Sequence, residues 1–118
     1  MTLHNSSSRV ALVTGGAKGI GAEVCRSLCA RGFKVWVADL DLPQAQSLAT
    51  ELRQDGGRAE AIALDVAQPD SVEAAFAHVD AHDQRCDVLV NSAGIAKVFP
   101  HTEQFRAEYA KAIPMARY

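Results

Sequence analysis

The residue types best suited to chemistry stand at residues 14–21, which are Thr-Gly-Gly-Ala-Lys-Gly-Ile-Gly. This stretch follows an apolar run at residues 10–13 and precedes a segment with helical periodicity. Glycines at such a junction let backbone amides approach a pyrophosphate, and the N-terminus of the following helix adds unpaired N–H groups and the positive end of its dipole. We interpret the stretch as the phosphate-binding turn of a dinucleotide site. The alternative is a tight turn that only packs the helix against the strand.

A second candidate is Asp39, which directly follows the apolar run at residues 35–38. In an open parallel sheet the ligand crevice lies at the carboxyl ends of the strands, and an acid there accepts hydrogen bonds from ribose hydroxyls. We therefore assign Asp39 to the ribose of the adenosine half. The alternative is a solvated or helix-capping acid.

The elements that must position these residues alternate along the chain. Strands are predicted at residues 10–13, 35–38, about 59–64 and 88–90, and helices at residues 22–31, from Pro43 to the glycines at 56–57, and from Pro69 onward. Strands separated by helices favour a parallel sheet with right-handed crossovers. The predicted fold class is α/β, part of a Rossmann-type doubly wound sheet with strand order 3-2-1-4. Residues 9–96 form this half-domain, residues 1–8 a flexible lead, and residues 95–100 a loop.

Four features, in this order, resemble the short-chain dehydrogenase/reductase family. They are the Thr-Gly-x-x-x-Gly-x-Gly spacing of residues 14–21, the acid Asp39, the pair Asp65-Val66, and Asn-Ser-Ala-Gly at residues 91–94. The resemblance implies an NAD(P)-dependent oxidoreductase that transfers a hydride between a nicotinamide cofactor and a small-molecule alcohol or ketone. It also implies that the full-length parent is a homo-oligomer.

The resemblance carries cofactor-binding roles over to individual residues of this chain. It implies that Asp65 meets the adenine amino group, that Val66 lines the adenine pocket, and that Asn91 stabilises its strand. Ser92 stands where the family has a second Asn, so the hydrogen bonds of that amide are lost. For Asp65 the alternative is a loop acid that caps the helix near Pro69. The full set of expected cofactor-binding residues is Thr14, Gly15, Lys18, Gly19, Ile20, Gly21, Asp39, Leu40, Asp65, Val66, Asn91, Ala93 and Gly94.

The choice between NAD and NADP depends on three neighbouring side chains. A basic residue at the position of Lys18 occurs in family members that bind NADP, although an exposed lysine is equally consistent with a plain solvated side chain. Asp39 favours NAD, because its carboxylate would face a 2′-phosphate with like charge. Leu40 offers no positive charge for that phosphate. The sequence therefore predicts NAD in preference to NADP.

The catalytic residues of the family are not found in this sequence. The resemblance would require a Ser and a Tyr-x-x-x-Lys pair, but Ile113 stands four residues after Tyr109, and Lys111 follows it by only two. Tyr118 is the last residue. We assign no catalytic residue, and residues 97–118 form an atypical tail that an internal deletion would explain. The alternative to an oxidoreductase is a non-catalytic dinucleotide-binding fragment or remnant, inactive alone.

Composition excludes several other classes of function. The chain has 118 residues, a formal net charge of −2 and 48% hydrophobic residues, so no charge excess favours nucleic acid or an anionic membrane. It has no apolar run of membrane-spanning length and no secretory signal at residues 1–8, which predicts a cytoplasmic location. Three cysteines make no disulfide framework. His78 and His82 lack a third ligand, so no metal site is predicted.

Overall fold

The computed structural model describes residues 9–92 and 95–98. The expected flexible lead at residues 1–8, the site residues Ala93 and Gly94, and the tail from residue 99 lie outside the described residues.

Strands and helices alternate as the apolar pattern predicts. The elements are β1 (Val10–Thr14), α1 (Gly19–Ala30), β2 (Lys34–Asp39), α2 (Leu42–Gln54), β3 (Arg58–Ala63), α3 (Pro69–Asp83), β4 (Val88–Asn91) and β5 (Ile95–Val98). They form one sheet in the order β3-β2-β1-β4-β5, in which the first four strands are parallel. The predicted α/β class and strand order 3-2-1-4 are confirmed.

The prediction of a loop at residues 95–100 is wrong for residues 95–98. These residues form β5, which pairs antiparallel with β4 in a register that sets Asn91 opposite Ile95 and Val88 opposite Val98. β4 provides the hydrogen-bonding partner across a short hairpin connection, so β5 depends on pairing with its neighbour rather than on a pattern of its own. Four residues are too few to show a period of two in a sequence.

The sheet separates two apolar layers. Leu12 and Trp36 point to the side covered by α3, whereas Val13 and Val37 point to the side covered by α1 and α2. This alternation follows from the period of two in a strand, and both faces are apolar because both carry helices. Trp36 is buried in this core, with 1% of its surface exposed.

A polar contact ties β2 to α3 at the amino edge of the sheet. The Trp36 Nε1–H group donates to Asp83 Oδ2 at 2.6 Å, and Lys34 Nζ lies 2.9 Å from Asp83 Oδ1. The Lys34 and Asp83 side chains are mostly buried. The indole N–H and the ammonium thus share one carboxylate, which satisfies two polar groups that would otherwise be costly to bury.

Candidate functional site

The candidate site lies at the carboxyl edge of the parallel strands. Thr14, the last residue of β1, is paired with Ala38 of β2 on one side and with Asn91 of β4 on the other. Asp39 follows Ala38 and is paired with Ala63, the last residue of β3. The topology therefore brings the ends of all four parallel strands, and the predicted site residues that follow them, to one edge.

The glycine turn between β1 and α1 has a backbone conformation and a close packing that disfavour residues with a side chain. Gly15 and Gly19 have φ angles of +62° and +57°, a region that glycine occupies without steric cost. A Cβ on Gly21 would lie 2.1 Å from the Gly15 carbonyl oxygen, so only glycine lets α1 approach the turn this closely. The Gly16 N–H group donates to the Ala38 carbonyl at 3.1 Å, which fixes the turn to β2.

The start of α1 is open toward solvent. Lys18 is its N-cap residue, yet the lysine makes no capping hydrogen bond, and the first turn carries no acidic side chain. A Cβ built on Gly19 would meet no heavy atom within 4 Å. An uncapped helix N-terminus with free space in front of it has the geometry and the dipole to receive a phosphate.

Asp39 links the two loops that border the site. Its Oδ2 accepts the Ala17 N–H group at 3.1 Å, and its Oδ1 accepts the Asp41 N–H group at 2.9 Å. A carboxylate has about four acceptor positions, so each oxygen retains one for a ligand hydroxyl. Asp39 thus holds the glycine turn against the end of β2 while remaining able to bind two further donors.

Sequence reasoning missed Asp41, although a signal for it was present. Asp41 is the N-cap residue of α2, and its Oδ1 accepts the Gln44 N–H group at 3.1 Å. An Asp two residues before Pro43 is the pattern that marks a helix start. Its Oδ2 lies 3.4 Å from Lys18 Nζ, so Lys18 is ion-paired rather than simply solvated.

Asp65 organises the loop between β3 and α3. Its Oδ1 accepts the Ala67 N–H group at 3.0 Å, and its backbone N–H donates to Ser71 Oγ at 2.9 Å. The N-cap residue of α3 is Gln68, so the alternative role of Asp65 as a helix cap is wrong. Val66, the second residue of the predicted adenine pair, is partly buried against the core.

Ser92 joins the end of β4 to the glycine turn. Its backbone N–H donates to the Thr14 carbonyl at 3.2 Å, and its hydroxyl donates to the Gly15 carbonyl at 3.5 Å. A Cβ on Gly15 would lie 2.3 Å from Ser92 Oγ, so the small side chain and the glycine fit against each other. Thr14 is buried, and its hydroxyl lies 3.5 Å from the Val90 carbonyl. The hydroxyl of Ser92 thus makes a bond within the fold at the position where the family has an amide.

Two large apolar side chains are exposed beside these polar groups. Ile20 follows the second motif glycine and is 77% exposed, and Leu40 follows Asp39 and is 72% exposed. Within residues 9–92 they are the large hydrophobic residues that folding leaves in water. Both belong to the predicted cofactor-binding set, and burial beneath a ligand would remove their apolar surface from solvent.

Three reactive side chains outside this set, a cysteine and two histidines, are buried or packed against other groups. Burial raises the pKa of Cys25 to about 12, and its thiol packs beneath the turn, 3.7 Å from the Gly16 carbonyl. The exposed His78 and His82 place their ring edges against Trp36. In the described part of the chain no three His, Cys, Asp or Glu side chains lie together as metal ligands.

None of the helices described is both long and apolar enough to cross a membrane.

The comparisons with known proteins agree on one family. A family model described as "short chain dehydrogenase" matches residues 9–115. The chain is 43% identical over 95 residues to the D-threitol dehydrogenase of Mycolicibacterium smegmatis, which covers 80% of this chain and 36% of that protein. It is 33% identical over 103 residues to the cyclopentanol dehydrogenase of Comamonas testosteroni, covering 87% of this chain and 41% of that protein.

Solved structures show the same likeness. A metagenomic short-chain oxidoreductase in complex with NADP superposes with a TM-score of 0.67 at 36% identity, covering 70% of this chain and 37% of that structure. Menthone neomenthol reductase from Mentha piperita gives a TM-score of 0.68 at 35% identity, covering 74% and 32%. The chain therefore spans between about a third and two fifths of the length of these relatives.

Proposed function

The chain belongs to the short-chain dehydrogenase family, and we propose that it is the dinucleotide-binding part of an NAD(P)-dependent oxidoreductase. The proposed reaction is hydride transfer between the nicotinamide cofactor and a small-molecule alcohol or ketone. One observation carries the proposal: the uncapped start of α1 opens beside a carboxylate, Asp39, that is already fixed in place. The cofactor, when bound, supplies the hydride chemistry.

The residues of the edge fit the parts of such a cofactor. The backbone N–H groups at the start of α1 would bind the pyrophosphate, because Gly19 leaves the approach open and the helix dipole favours an anion. The remaining acceptor positions of Asp39 would bind two ribose hydroxyls. Asp65 and Val66 lie beyond β3, where we place the adenine. Asn91 with Ala93 and Gly94 would border the cofactor after β4.

We further propose that NAD is preferred over NADP. Asp39 cannot turn away from a 2′-phosphate without breaking its bonds to the Ala17 and Asp41 amides. Two unit charges 4 Å apart repel by about 4 kcal/mol at an effective dielectric constant of 20, before solvent reduces this energy. A relative was solved in complex with NADP, so family membership alone does not decide the cofactor. We therefore base the preference for NAD on the residues of this chain.

Binding isotherms for NAD and NADP test the proposal on the chain and on Asp39→Ser. We expect NAD to bind at least tenfold more tightly than NADP, a ratio that corresponds to only about 1.4 kcal/mol of that repulsion. Asp39→Ser should bring the ratio toward one. Asp55→Asn is the matched control, since it removes one carboxylate at the far end of α2. Equal affinities in the unsubstituted chain, or a ratio that Asp39→Ser leaves unchanged, would refute the preference.

A second candidate function is dinucleotide binding without turnover. It is favoured by the sequence, in which Ile113 rather than Lys stands four residues after Tyr109. A positioned acid–base group contributes about 10²–10⁴-fold to rate, so we propose that the 118-residue chain alone is inactive. Steady conversion of NAD to NADH by purified chain of confirmed mass, with any of a panel of alcohols, would disprove this. A small-molecule substrate, a homo-oligomeric parent and a cytoplasmic location remain predictions.

A further inference from the structure

The N-cap residues of α1 and α2 face each other across the mouth of the candidate site. Lys18 Nζ lies 3.4 Å from Asp41 Oδ2, and the Asp41 N–H group donates to Asp39 Oδ1 at 2.9 Å. The lysine ammonium is therefore held beside the end of β2, close to the carboxylate that we assign to the ribose. The Lys18 and Asp41 side chains remain 64% and 43% exposed, so a ligand can reach both.

Asp41 performs two tasks with separate oxygens. Its Oδ1 caps α2 through the Gln44 N–H group, whereas its Oδ2 faces Lys18. The cap holds the carboxylate at a fixed place, and the flexible lysine comes to it. An Asn at position 41 would keep an oxygen for the cap, since Asn and Asp are equally good N-cap residues, but it would carry no charge for Lys18.

We propose that Asp41 is a second determinant of the cofactor preference, acting by withholding Lys18 from a 2′-phosphate. Lys18 places a cation at this end of β2, and Leu40 supplies none. NADP would have to recruit the ammonium by breaking its contact with Asp41. NAD has no 2′-phosphate and needs no such change. This inference rests on the proposed function, because it takes the end of β2 as the place of the adenosine ribose.

A merely structural role for the ion pair makes a different prediction. Exposed ion pairs contribute little to folding, and Asp41→Asn keeps the cap, so stability should hardly change in either case. A structural role would alter the affinities for nucleotides with and without a 2′-phosphate equally. Withholding Lys18 alters only the affinity that depends on the 2′-phosphate, and it requires Lys18 to be present.

The test uses two nucleotides that differ by one phosphate, 5′-AMP and 2′,5′-ADP. Their affinities for the 118-residue chain are measured by calorimetry at about 0.15 M salt, where longer-range charge effects are screened. The variants are Asp41→Asn, Lys18→Met and the two together, with Asp55→Asn as a control that removes a distant carboxylate. We expect Asp41→Asn to raise the affinity for 2′,5′-ADP relative to 5′-AMP by about three- to fivefold. In the Lys18→Met background the same substitution should give no gain.

The possible results distinguish this inference about Asp41 from the proposed function on which it rests. A gain that needs Lys18 supports the inference. Suppose that the unsubstituted chain binds 5′-AMP but Asp41→Asn leaves the affinity for 2′,5′-ADP relative to 5′-AMP unchanged. The inference is then wrong and the proposed function stands. The same conclusion follows if Asp41→Asn raises this ratio equally in the Lys18→Met background. If the chain binds neither nucleotide, the proposed adenosine site is wrong, and this inference is overturned with it.

Discussion

The proposed preference for NAD depends on how firmly the Asp39 carboxylate is held. Its two oxygens accept backbone N–H groups from the glycine turn and from the loop before α2. Because of these bonds, the carboxylate cannot rotate away from a like charge as the side chain of a freely exposed acid can. The same bonds mean that Asp39→Ala would disturb both loops, and for this reason Asp39→Ser, which keeps a hydroxyl acceptor, is the better variant for binding studies.

At the residue scale, the three cysteines should differ in reactivity. Burial raises the pKa of Cys25 and of Cys86 to about 12, and it also raises the pKa of the partly exposed Cys29. Because the thiolate is the reactive form, we expect Cys25 and Cys86 of the folded chain to resist alkylation at pH 8, with Cys29 reacting first. Mass spectrometry of peptides after timed iodoacetamide treatment measures this, and urea-unfolded chain is the control. Rapid labelling of Cys25 without unfolding would contradict it.

The same pKa shifts set the sign of a pH dependence. Cys25 and Cys86 ionise in the unfolded chain near pH 9 but in the folded chain only near pH 12. Their contribution to stability is therefore complete below pH 9 and is lost as the pH rises toward 12. The urea midpoint should fall over that interval, and replacement of Cys86 by Ser should weaken the fall. A midpoint that is constant from pH 9 to pH 11 would contradict the assignment.

Individual site residues were predictable only where the strand pattern placed them. Asp39 and Thr14 follow or end apolar runs, so a parallel sheet brings them to one edge whatever the loops do. The Lys18–Asp41 ion pair and the bond from Asp39 to Ala17 depend on how two loops lie against each other. No local sequence pattern specifies that relation, and resemblance to the family did not supply it.

At the scale of elements, the close packing of α1 against the glycine turn should be sensitive to a single methyl group. A Cβ on Gly21 would lie 2.1 Å from the Gly15 carbonyl, whereas a Cβ on Gly19 would meet nothing within 4 Å. We expect Gly21→Ala to destabilise the fold by about 2–3 kcal/mol, because the backbone must move. Gly19→Ala should cost only about 1–2 kcal/mol, for its positive φ. Urea denaturation compares them, and equal losses would show that the close contact is not needed.

The contact between β2 and α3 gives a second prediction at this scale. Asp83→Ala leaves the Trp36 indole N–H group and the Lys34 ammonium without their shared acceptor. We expect a loss of roughly 2–4 kcal/mol. Asp83→Asn, which retains an acceptor, should lose less. The fluorescence of Trp36, the single tryptophan, reports the unfolding. An unchanged midpoint for Asp83→Ala would show that the carboxylate is dispensable.

The elements themselves were predicted well where several signals coincide. The first four strands and three helices combine apolar runs, amphipathic stripes and glycine or proline boundaries, and their order follows from right-handed crossovers. The start of α1 was placed at residue 22 but lies at Gly19, because glycines have low helix propensity and tertiary packing overrides it here. The strand β5 has no comparable signal in four residues.

At the scale of the whole molecule, the sheet has β3 and β5 as its outer strands. The edge of β4 that faces away from β1 is occupied by β5. In the described part of the chain β5 pairs with β4 only, and an outer strand favours intermolecular pairing where its far edge has no partner.

We therefore expect the isolated chain to self-associate at micromolar concentration through β5. Sedimentation velocity over a range of concentrations measures this. Sharp monomer sedimentation of the unsubstituted chain at all concentrations would contradict the expectation.

Amide resonances report directly where a nucleotide binds. Among the described residues, a groove of about 310 Å³ lies at the opposite ends of α1 and α2, away from the carboxyl edge, and is lined by Arg26, Cys29, Leu52 and Gly57 among others. In a titration of ¹⁵N-labelled chain with NAD, we expect the largest chemical-shift changes at residues 15–21 and 39–41, with residues 52–57 unaffected. Changes concentrated at residues 52–57, or none at millimolar NAD, would contradict a dinucleotide site at the carboxyl edge.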